Sequence, residues 1–182
     1  MSYKNLQQCI EDLKSIDDLK IIRDQVDPDL EIASLHLKEF SERGKVLLFN
    51  NIKGSNYKAV SNLFGTIERG HFIFRNSIEI VKQLIALKID PVSAFKKPLR
   101  SFLCALNLIY TIPKRVRFPK DFKEVNISDL PQIKCWRNDG GSFITLPQVY
   151  SEDIDNPGIM NSNLGMYRIQ LSGKSYVLNQ EI

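Results

Sequence analysis

The sequence predicts an α+β fold, with an α/β unit over residues 1–115 and a segment of antiparallel β character over residues 116–182. In the first part, apolar residues at helical spacing alternate with short apolar runs that are typical of buried strands. After Pro119, glycine and asparagine become frequent, and short β-branched runs lie between turn signals. The 182 residues suffice for one good-sized domain, or for one small domain and part of another.

Helices and strands are predicted to alternate in the first part. An amphipathic helix is indicated by apolar residues at the i, i+3, i+4, i+7 spacing, namely Leu6, Cys9, Ile10 and Leu13. Two further helices are predicted at residues 77–87 and 99–110. Strands are predicted at 19–26, 46–49 and 58–63, and residues 50–57 are predicted to form a connection.

Another helix is predicted to begin at Asp27-Pro28. An aspartate can cap the free N–H groups of a helix, and proline suits the first helical position. The helix is predicted to run to Arg43 and to end at Gly44. Its inner side is predicted to carry Ile32, Leu35 and Phe40.

The second part is predicted to be built from turns and antiparallel strands. Turns are predicted at 137–141 and 155–158, and strands at 142–145 and 166–171. Residues 172–175 are predicted to form a hairpin loop, with a returning strand from Tyr176. The final strands are expected to need partners that the sequence to Ile182 does not supply.

Composition and charge exclude several classes of protein. Lys and Arg total 25 and Asp and Glu total 21, so the net charge is only +4, and no nucleic-acid partner is predicted. The densest basic cluster is interpreted as a solvated connector, with a phosphate or partner contact as the alternative; its residues are Lys114, Arg115, Arg117 and Lys120. The apolar stretch 102–112 is too short to span a membrane, which takes about 20 residues. With no signal peptide pattern and no CxxC pair, a reducing cytoplasm is expected.

Standard catalytic constellations are nearly absent from the sequence. The two histidines, His36 and His71, do not support a His–nucleophile pair, and His36 is interpreted as a helix-surface or interface residue. Cys135 is the candidate reactive thiol, whereas Cys9 and Cys104 have the pattern of core residues. Neither a P-loop nor a Rossmann glycine fingerprint is present.

The informative stretch is residues 161–170, which follows the run 142–150. Asn163 offers a neutral oxygen ligand suited to a hard divalent cation. Gly165 allows close approach of the backbone to a ligand, and Arg168 offers a two-pronged contact for a carboxylate or phosphate. An ordinary β-hairpin with a surface arginine explains the same residues, so the chemistry of these side chains leaves both interpretations open.

The spacing of Asn163, Gly165 and Arg168 resembles the signature of the UbiD family. Other segments along the chain resemble the same family in order: 27–32, 62–66, 129–131, and the Gly140-Gly141 turn before Ile144-Thr145. Ile154 departs from the family pattern, in which a proline is more usual, and this should change only a turn.

The resemblance implies a fold and a set of site residues. The first part would be the family's N-terminal α/β domain, and residues 116–182 would begin the split β-barrel that holds prenylated FMN. Asn163 would ligate a divalent metal, manganese by expectation, with potassium as a further candidate. Met166 and Tyr167 would line the cofactor, and Arg168 would bind cofactor and belong to a Glu–Arg–Glu catalytic network. The other metal ligands and both catalytic glutamates would lie beyond Ile182.

The resemblance also implies a reaction: non-oxidative decarboxylation of aromatic or unsaturated carboxylic acids, with a polyprenyl-hydroxybenzoate quinone precursor among the candidates. A UbiX-type flavin prenyltransferase would supply the cofactor, and the full-length protein would be a homo-oligomer. Peripheral contact with a membrane stays open. The 182-residue chain alone is predicted to be inactive, and a non-catalytic binding or assembly module is the alternative hypothesis.

Overall fold

A computed structural model describes residues 3–90, Leu106 and residues 125–171. It mixes helices with two sheets. The helices are α1 (Leu6–Ser15), α2 (Glu31–Ser41), α3 (Ile67–Ile73) and α4 (Ile78–Ile89), with short 3-10 helices at Ile127–Asp129 and Ile159–Asn161. The strands are β1 (Leu19–Ile22), β2 (Val46–Phe49), β3 (Ala59–Ser61), β4 (Phe143–Glu152) and β5 (Ser162–Gln170).

Several predictions concern residues outside the described ranges. These are the helix at 99–110 apart from Leu106, Cys104, the basic cluster 114–120, the boundary at residue 115, the loop 172–175 and the strand from Tyr176. The division at residue 115 therefore stays a prediction. Across the described ranges, no helix combines the length and the apolar character that crossing a membrane would require.

The chain forms two compact units, each built from two stretches of sequence. One unit comprises Met1–Asp18 with Phe64–Glu124, and the other comprises Leu19–Leu63 with Val125–Ile182. In the first unit, α1 buries the predicted apolar side of its helix, Cys9, Ile10 and Leu13. Burial raises the pKa of the Cys9 thiol, in keeping with a core residue. Asn5 begins the helix, and its side chain accepts a hydrogen bond from the backbone N–H of Gln8.

The second unit contains a three-stranded sheet with β2 at its centre. β1 pairs with β2 in parallel, from Leu19 opposite Val46, and β3 pairs with β2 antiparallel. Both neighbours hydrogen-bond to β2, which explains why three of its four residues are buried. Its core is formed by Val26, Ile32, Leu47, Phe49 and Ile52, with Leu35 and Ile133 packed against them.

Helix α2 begins later than the sequence predicts. Asp27 does not cap it and Pro28 is not its first residue, because the first helical residue is Glu31 and the preceding residue, Leu30, has a left-handed φ of 69°. The backbone before the helix forms hydrogen bonds with Lys134, a residue far along the chain. The N–H of Lys134 donates to the carbonyl of Pro28, and the N–H of Leu30 donates to the carbonyl of Lys134. The Asp27 side chain instead accepts from the N–H of Asp29 and from Lys53.

The end of α2 also differs from the prediction. The helix ends at Ser41, and the left-handed residue is Arg43, with φ 50°, rather than Gly44. The N–H of Gly44 reaches the carbonyl of Glu39 and that of Arg43 reaches Phe40, which is the hydrogen-bond pattern of a Schellman motif. Ile32 and Leu35 face the core as predicted, but the placement of Phe40 on the inner side is wrong, since that ring is 50% exposed.

Helix α3 was not anticipated from the sequence. Its start is marked by Thr66, whose hydroxyl accepts a hydrogen bond from the backbone N–H of Arg69. The side chain of Arg69 is buried, with 3% of its surface exposed, and it contacts Asp18 through two hydrogen bonds of 2.6 and 2.9 Å. This ion pair joins the start of α3 to the turn after α1 within the first unit.

Candidate functional site

The predicted site residues lie on β5, which pairs antiparallel with β4. The register runs from Phe143 opposite Gln170 to Glu152 opposite Ser162. The sequence predicted shorter strands, and β4 continues past Thr145 through an irregularity that ends at Gln148. Pro147 lies in this irregularity, where its missing N–H interrupts no regular ladder bond. The preceding residue, Leu146, has φ 64°.

Strand alternation divides the predicted site residues between two faces of β5. Asn163, Gly165 and Tyr167 share one face, and a Cβ at Gly165 would lie only 2.5 Å from the Tyr167 ring. Met166 and Arg168 share the other face. Asn163 and Arg168 are five residues apart, about 17 Å along an extended strand. The structure therefore brings Gly165 and Tyr167 together but does not bring Asn163 to Arg168.

Arg168 is the predicted site residue with the most defined surroundings. Its Nη2 donates a hydrogen bond of 2.9 Å to Oδ2 of Asp139. Its guanidinium carbon lies 3.6 Å from the centre of the Phe143 ring, within the range of a cation–π contact. The Arg168 side chain is 45% exposed, whereas that of Asp139 is only 13% exposed. The guanidinium of Arg168 thus has two defined contacts, while nearly half of the side chain stays accessible to solvent.

The turn at residues 136–141 carries Asp139 to this position. Oδ2 of Asp139 accepts from the backbone N–H of Trp136, and the N–H of Asp139 donates to the carbonyl of Trp136. The turn is joined to the end of β5 by the side chain of Gln170, which donates to the carbonyl of Gly140. A Cβ at Gly140 would lie 2.8 Å from the Gln170 amide nitrogen, so the glycine permits this close approach.

Cys135 lies within the electrostatic reach of the same pair. Burial raises the pKa of the Cys135 thiol; the positive charge of Arg168 lowers the pKa and the negative charge of Asp139 raises it. The net effect is a raised pKa, which favours the protonated thiol over the reactive thiolate. The structure therefore gives no support to Cys135 as the reactive thiol that the sequence suggested as a candidate.

The remaining candidate residues are exposed to solvent or contact residues in other parts of the fold. Met166 and Tyr167 are 62% and 51% exposed, and Asn163 is exposed as well. In the described part of the chain, no group of three or more His, Cys, Asp or Glu could hold a metal ion. His36 is half-buried, and its Nδ1 lies 2.6 Å from Oγ of Ser61, a contact between α2 and β3 that the sequence did not predict.

Sequence reasoning missed Asp139 and Phe143 as partners of Arg168. The local pattern identifies Asp139 only as a turn former and Phe143 only as part of a short strand. Both residues precede Arg168 by more than twenty positions, so no local spacing connects them. The antiparallel register supplies the signal, because it places Thr145 opposite Arg168 and so brings the start of β4 and the preceding turn close to it.

Family models match both parts of the chain. The N-terminal domain of 3-octaprenyl-4-hydroxybenzoate carboxy-lyase (UbiD_N) matches residues 10–88, and the Rift-related domain of the same enzyme (UbiD) matches residues 113–180. Together the two matches cover most of the chain. The chain belongs to the UbiD family, which confirms the resemblance found in the sequence.

Curated relatives agree with this assignment. An uncharacterised protein of Helicobacter pylori is 36% identical over 182 residues, covering 91% of this chain and 29% of the relative. A Chlamydia pneumoniae protein, named as a subunit of 4-hydroxybenzoate decarboxylase, is 36% identical over 154 residues, covering 80% of this chain and 25% of the relative. The chain therefore spans under a third of the length of these relatives.

Solved structures share the fold. The UbiD-class enzyme HmfF of Pelotomaculum thermopropionicum, in an evolved dimeric form in complex with prFMN, superposes with a TM-score of 0.66 at 21% identity, over 94% of this chain and 37% of that one. Vanillic acid decarboxylase of Sedimentibacter hydroxybenzoicus, ShVdcCD, gives 0.67 at 22% identity, over 96% and 37%. At these identities the comparison establishes the fold alone.

Proposed function

We propose that this chain is part of a non-oxidative decarboxylase that acts on aromatic or unsaturated carboxylic acids with prenylated FMN and a divalent metal. The observation that carries the proposal is Arg168, held by Asp139 and Phe143 on a strand of a UbiD-family chain. The HmfF neighbour contains prFMN, and the Chlamydia pneumoniae relative is named as part of a 4-hydroxybenzoate decarboxylase, which supports this choice of cofactor and substrate class.

In the proposed reaction Arg168 binds the substrate carboxylate. Nη2 carries two hydrogens, and each belongs to a different two-pronged edge of the guanidinium. Its hydrogen bond to Asp139 uses one of them, so one complete edge remains for a carboxylate. A permanent cation there orients the carboxylate and holds it until carbon dioxide departs. Prenylated FMN, when bound, supplies the electron sink for the electrons left behind.

Asn163, Met166 and Tyr167 are proposed to hold the cofactor and its metal. Asn163 is an exposed residue whose side chain carries an amide oxygen, the donor type that a hard divalent cation prefers. The described residues thus supply one ligand, and further ligands are expected beyond Ile182. Asn163 and Arg168 are too far apart to bind one ion, so Asn163 is assigned to the metal and Arg168 to the substrate carboxylate. The backbone at Met166 and Tyr167, between Asn163 and Arg168 along the strand, is proposed to line the cofactor, since the two side chains project from opposite faces of β5.

The finer assignments are part of the same proposal. Manganese is the expected metal, potassium is a further candidate, and a polyprenyl-hydroxybenzoate precursor of quinone biosynthesis is a candidate substrate. A UbiX-type prenyltransferase would supply the cofactor to a homo-oligomeric, cytoplasmic protein, with peripheral contact at the membrane. Residues 116–182 would begin a split β-barrel. The chain by itself would lack activity, because one metal ligand and one catalytic residue do not make a site.

The test is turnover by the full-length protein that contains this sequence. Arg168→Lys should lower kcat/KM by about 10²-fold or more, because an ammonium does not reproduce a planar two-pronged contact. Arg137→Lys, at an exposed arginine of the nearby turn, is the matched control and should leave turnover unchanged. Asn163→Ala should instead lower the retained metal and flavin, measured by elemental analysis and absorbance.

Two outcomes would contradict the proposal. Turnover of Arg168→Lys near that of the unmodified protein, at full flavin occupancy, would remove Arg168 from the catalytic residues. A full-length protein that releases no carbon dioxide from any aromatic or unsaturated acid, with flavin and metal bound, would favour the alternative of a binding or assembly module.

A further inference from the structure

A cation that binds a carboxylate in two-pronged fashion must be held in orientation as well as in place. Arg168 has a long, flexible side chain on a strand, and it is nearly half exposed. Such a side chain samples many rotamers in water, and binding a carboxylate would have to restrict them at a cost in free energy. The contacts that restrict Arg168 before substrate arrives therefore bear directly on its proposed function.

Two contacts of different kinds jointly restrict the guanidinium. The ring of Phe143, with its centre 3.6 Å from the guanidinium carbon, covers one face of the planar group. Asp139 accepts a hydrogen bond in the plane of the group through Nη2. The contact on the face of the guanidinium limits the tilt of its plane. The hydrogen bond within that plane limits rotation of the group about the normal to the plane. Together they restrict both the tilt and the in-plane rotation of the guanidinium.

Asp139 is itself held firmly enough to act as an anchor. Its carboxylate is largely buried and accepts a second hydrogen bond, from the backbone of Trp136, through the same Oδ2. The turn that carries it is joined to β5 by Gln170, which lies on the same face of the strand as Arg168, and by the N–H of Leu171, which donates 2.8 Å to the carbonyl of Ser142. The anchor and the arginine are thus parts of one local structure.

We propose that Asp139 and Phe143 are positioning residues that hold Arg168 in the orientation in which its remaining two-pronged edge receives the substrate carboxylate. The assignment of the carboxylate as ligand rests on the proposed function. The holding of Arg168 by these two residues does not, and it can be measured in the 182-residue chain. An exposed ion pair usually contributes little to stability, so the pair is expected to matter for orientation rather than for folding.

The first measurement is the NMR spectrum of the arginine side chains in the 182-residue chain. Stacking on Phe143 should shift the Arg168 side-chain protons upfield, and the signals are assigned by their loss in Arg168→Lys. Asp139→Ala should abolish most of this shift, Asp139→Asn should retain part of it, and Phe143→Leu should remove it. Asp155→Ala, at an exposed turn aspartate, is the control and should leave it unchanged.

The second measurement is turnover of the full-length variants at matched flavin occupancy. Asp139→Ala should lower kcat/KM by about 10-fold or more, as for a positioning residue that does not itself react. Phe143→Leu should lower it as well, while Phe143→Tyr should restore it because the ring is kept. Unfolding midpoints should change little in all of these variants.

The two measurements separate the inference from the proposed function. An unchanged upfield shift in Asp139→Ala would overturn the inference, whatever the turnover. A lost shift accompanied by unchanged turnover would support the holding of Arg168 and refute its proposed role toward the substrate carboxylate. A lost shift with the predicted loss of kcat/KM would support both.

Discussion

The buried ion pair between Arg69 and Asp18 offers a quantitative test of the first compact unit. Asp18→Ala would remove the carboxylate that accepts two hydrogen bonds, of 2.6 and 2.9 Å, from the guanidinium of Arg69, a side chain that is only 3% exposed. Removing one partner of a buried pair costs about 3–5 kcal/mol, because the remaining charge stays desolvated. The side chain of Asp18 is 25% exposed, so in the variant water can take over part of the role of the carboxylate. We therefore expect the free energy of unfolding to fall by about 3 kcal/mol, the lower end of this range.

Removing the charge instead of the partner should cost less. Arg69→Met keeps most of the buried volume and leaves no buried cation, so the free energy of unfolding should fall by only about 1 kcal/mol. The backbone N–H of Arg69, which donates to Thr66, is untouched by either change. In the double variant, Asp18→Ala with Arg69→Met, the loss in free energy of unfolding should be close to that of Arg69→Met alone. Once the buried cation is gone, removing the Asp18 carboxylate leaves no charge unneutralised.

Urea unfolding followed by far-ultraviolet circular dichroism is the suitable assay, since the described part of this unit is helical. Charge removal from the exposed pair Glu79–Lys82, with side chains 65% and 60% exposed, is the matched control and should change stability by less than about 0.5 kcal/mol. The reasoning would be refuted if Asp18→Ala fell within the range of this control, or if Arg69→Met were as costly as Asp18→Ala.

Three further predictions concern activity, pH and the core. The purified 182-residue chain, given prenylated FMN and manganese, should release no carbon dioxide above background, and release that disappears in Arg168→Lys would contradict this. Hydrogen bonds from Tyr3 and Arg75 lower the pKa of Asp12, so this carboxylate stabilises the fold above its ordinary pKa of 3.8 and the effect is lost on acidification through the lowered value. The fall in melting temperature between about pH 5 and pH 3 should therefore be smaller in Asp12→Asn, and an equal fall would count against the hydrogen bonds. Leu47→Ala, at a side chain 1% exposed, should cost about 2–5 kcal/mol in urea unfolding, whereas Ile154→Ala, at 93% exposure, should cost less than about 0.5.

Local patterns in the sequence determined most of the described secondary structure. The spacing of Leu6, Cys9, Ile10 and Leu13 predicted α1, and the unbroken apolar run Val46–Phe49 predicted a buried strand. Both signals arise from burial along a single element, so they need no knowledge of distant residues. The spacing of Asn163, Gly165 and Arg168 was equally local, and together with the other similar segments along the chain it indicated the family.

The tertiary structure decided the features that depend on residues far apart in the chain. The start of α2 moved from Pro28 to Glu31 because Lys134, more than a hundred residues away, takes the backbone hydrogen bonds of Pro28 and Leu30. The partners of Arg168 followed from the register of β4 and β5 in the same way. The sequence determines which groups can form hydrogen bonds. Whether each group bonds to a local or to a distant partner is determined only when the chain has folded.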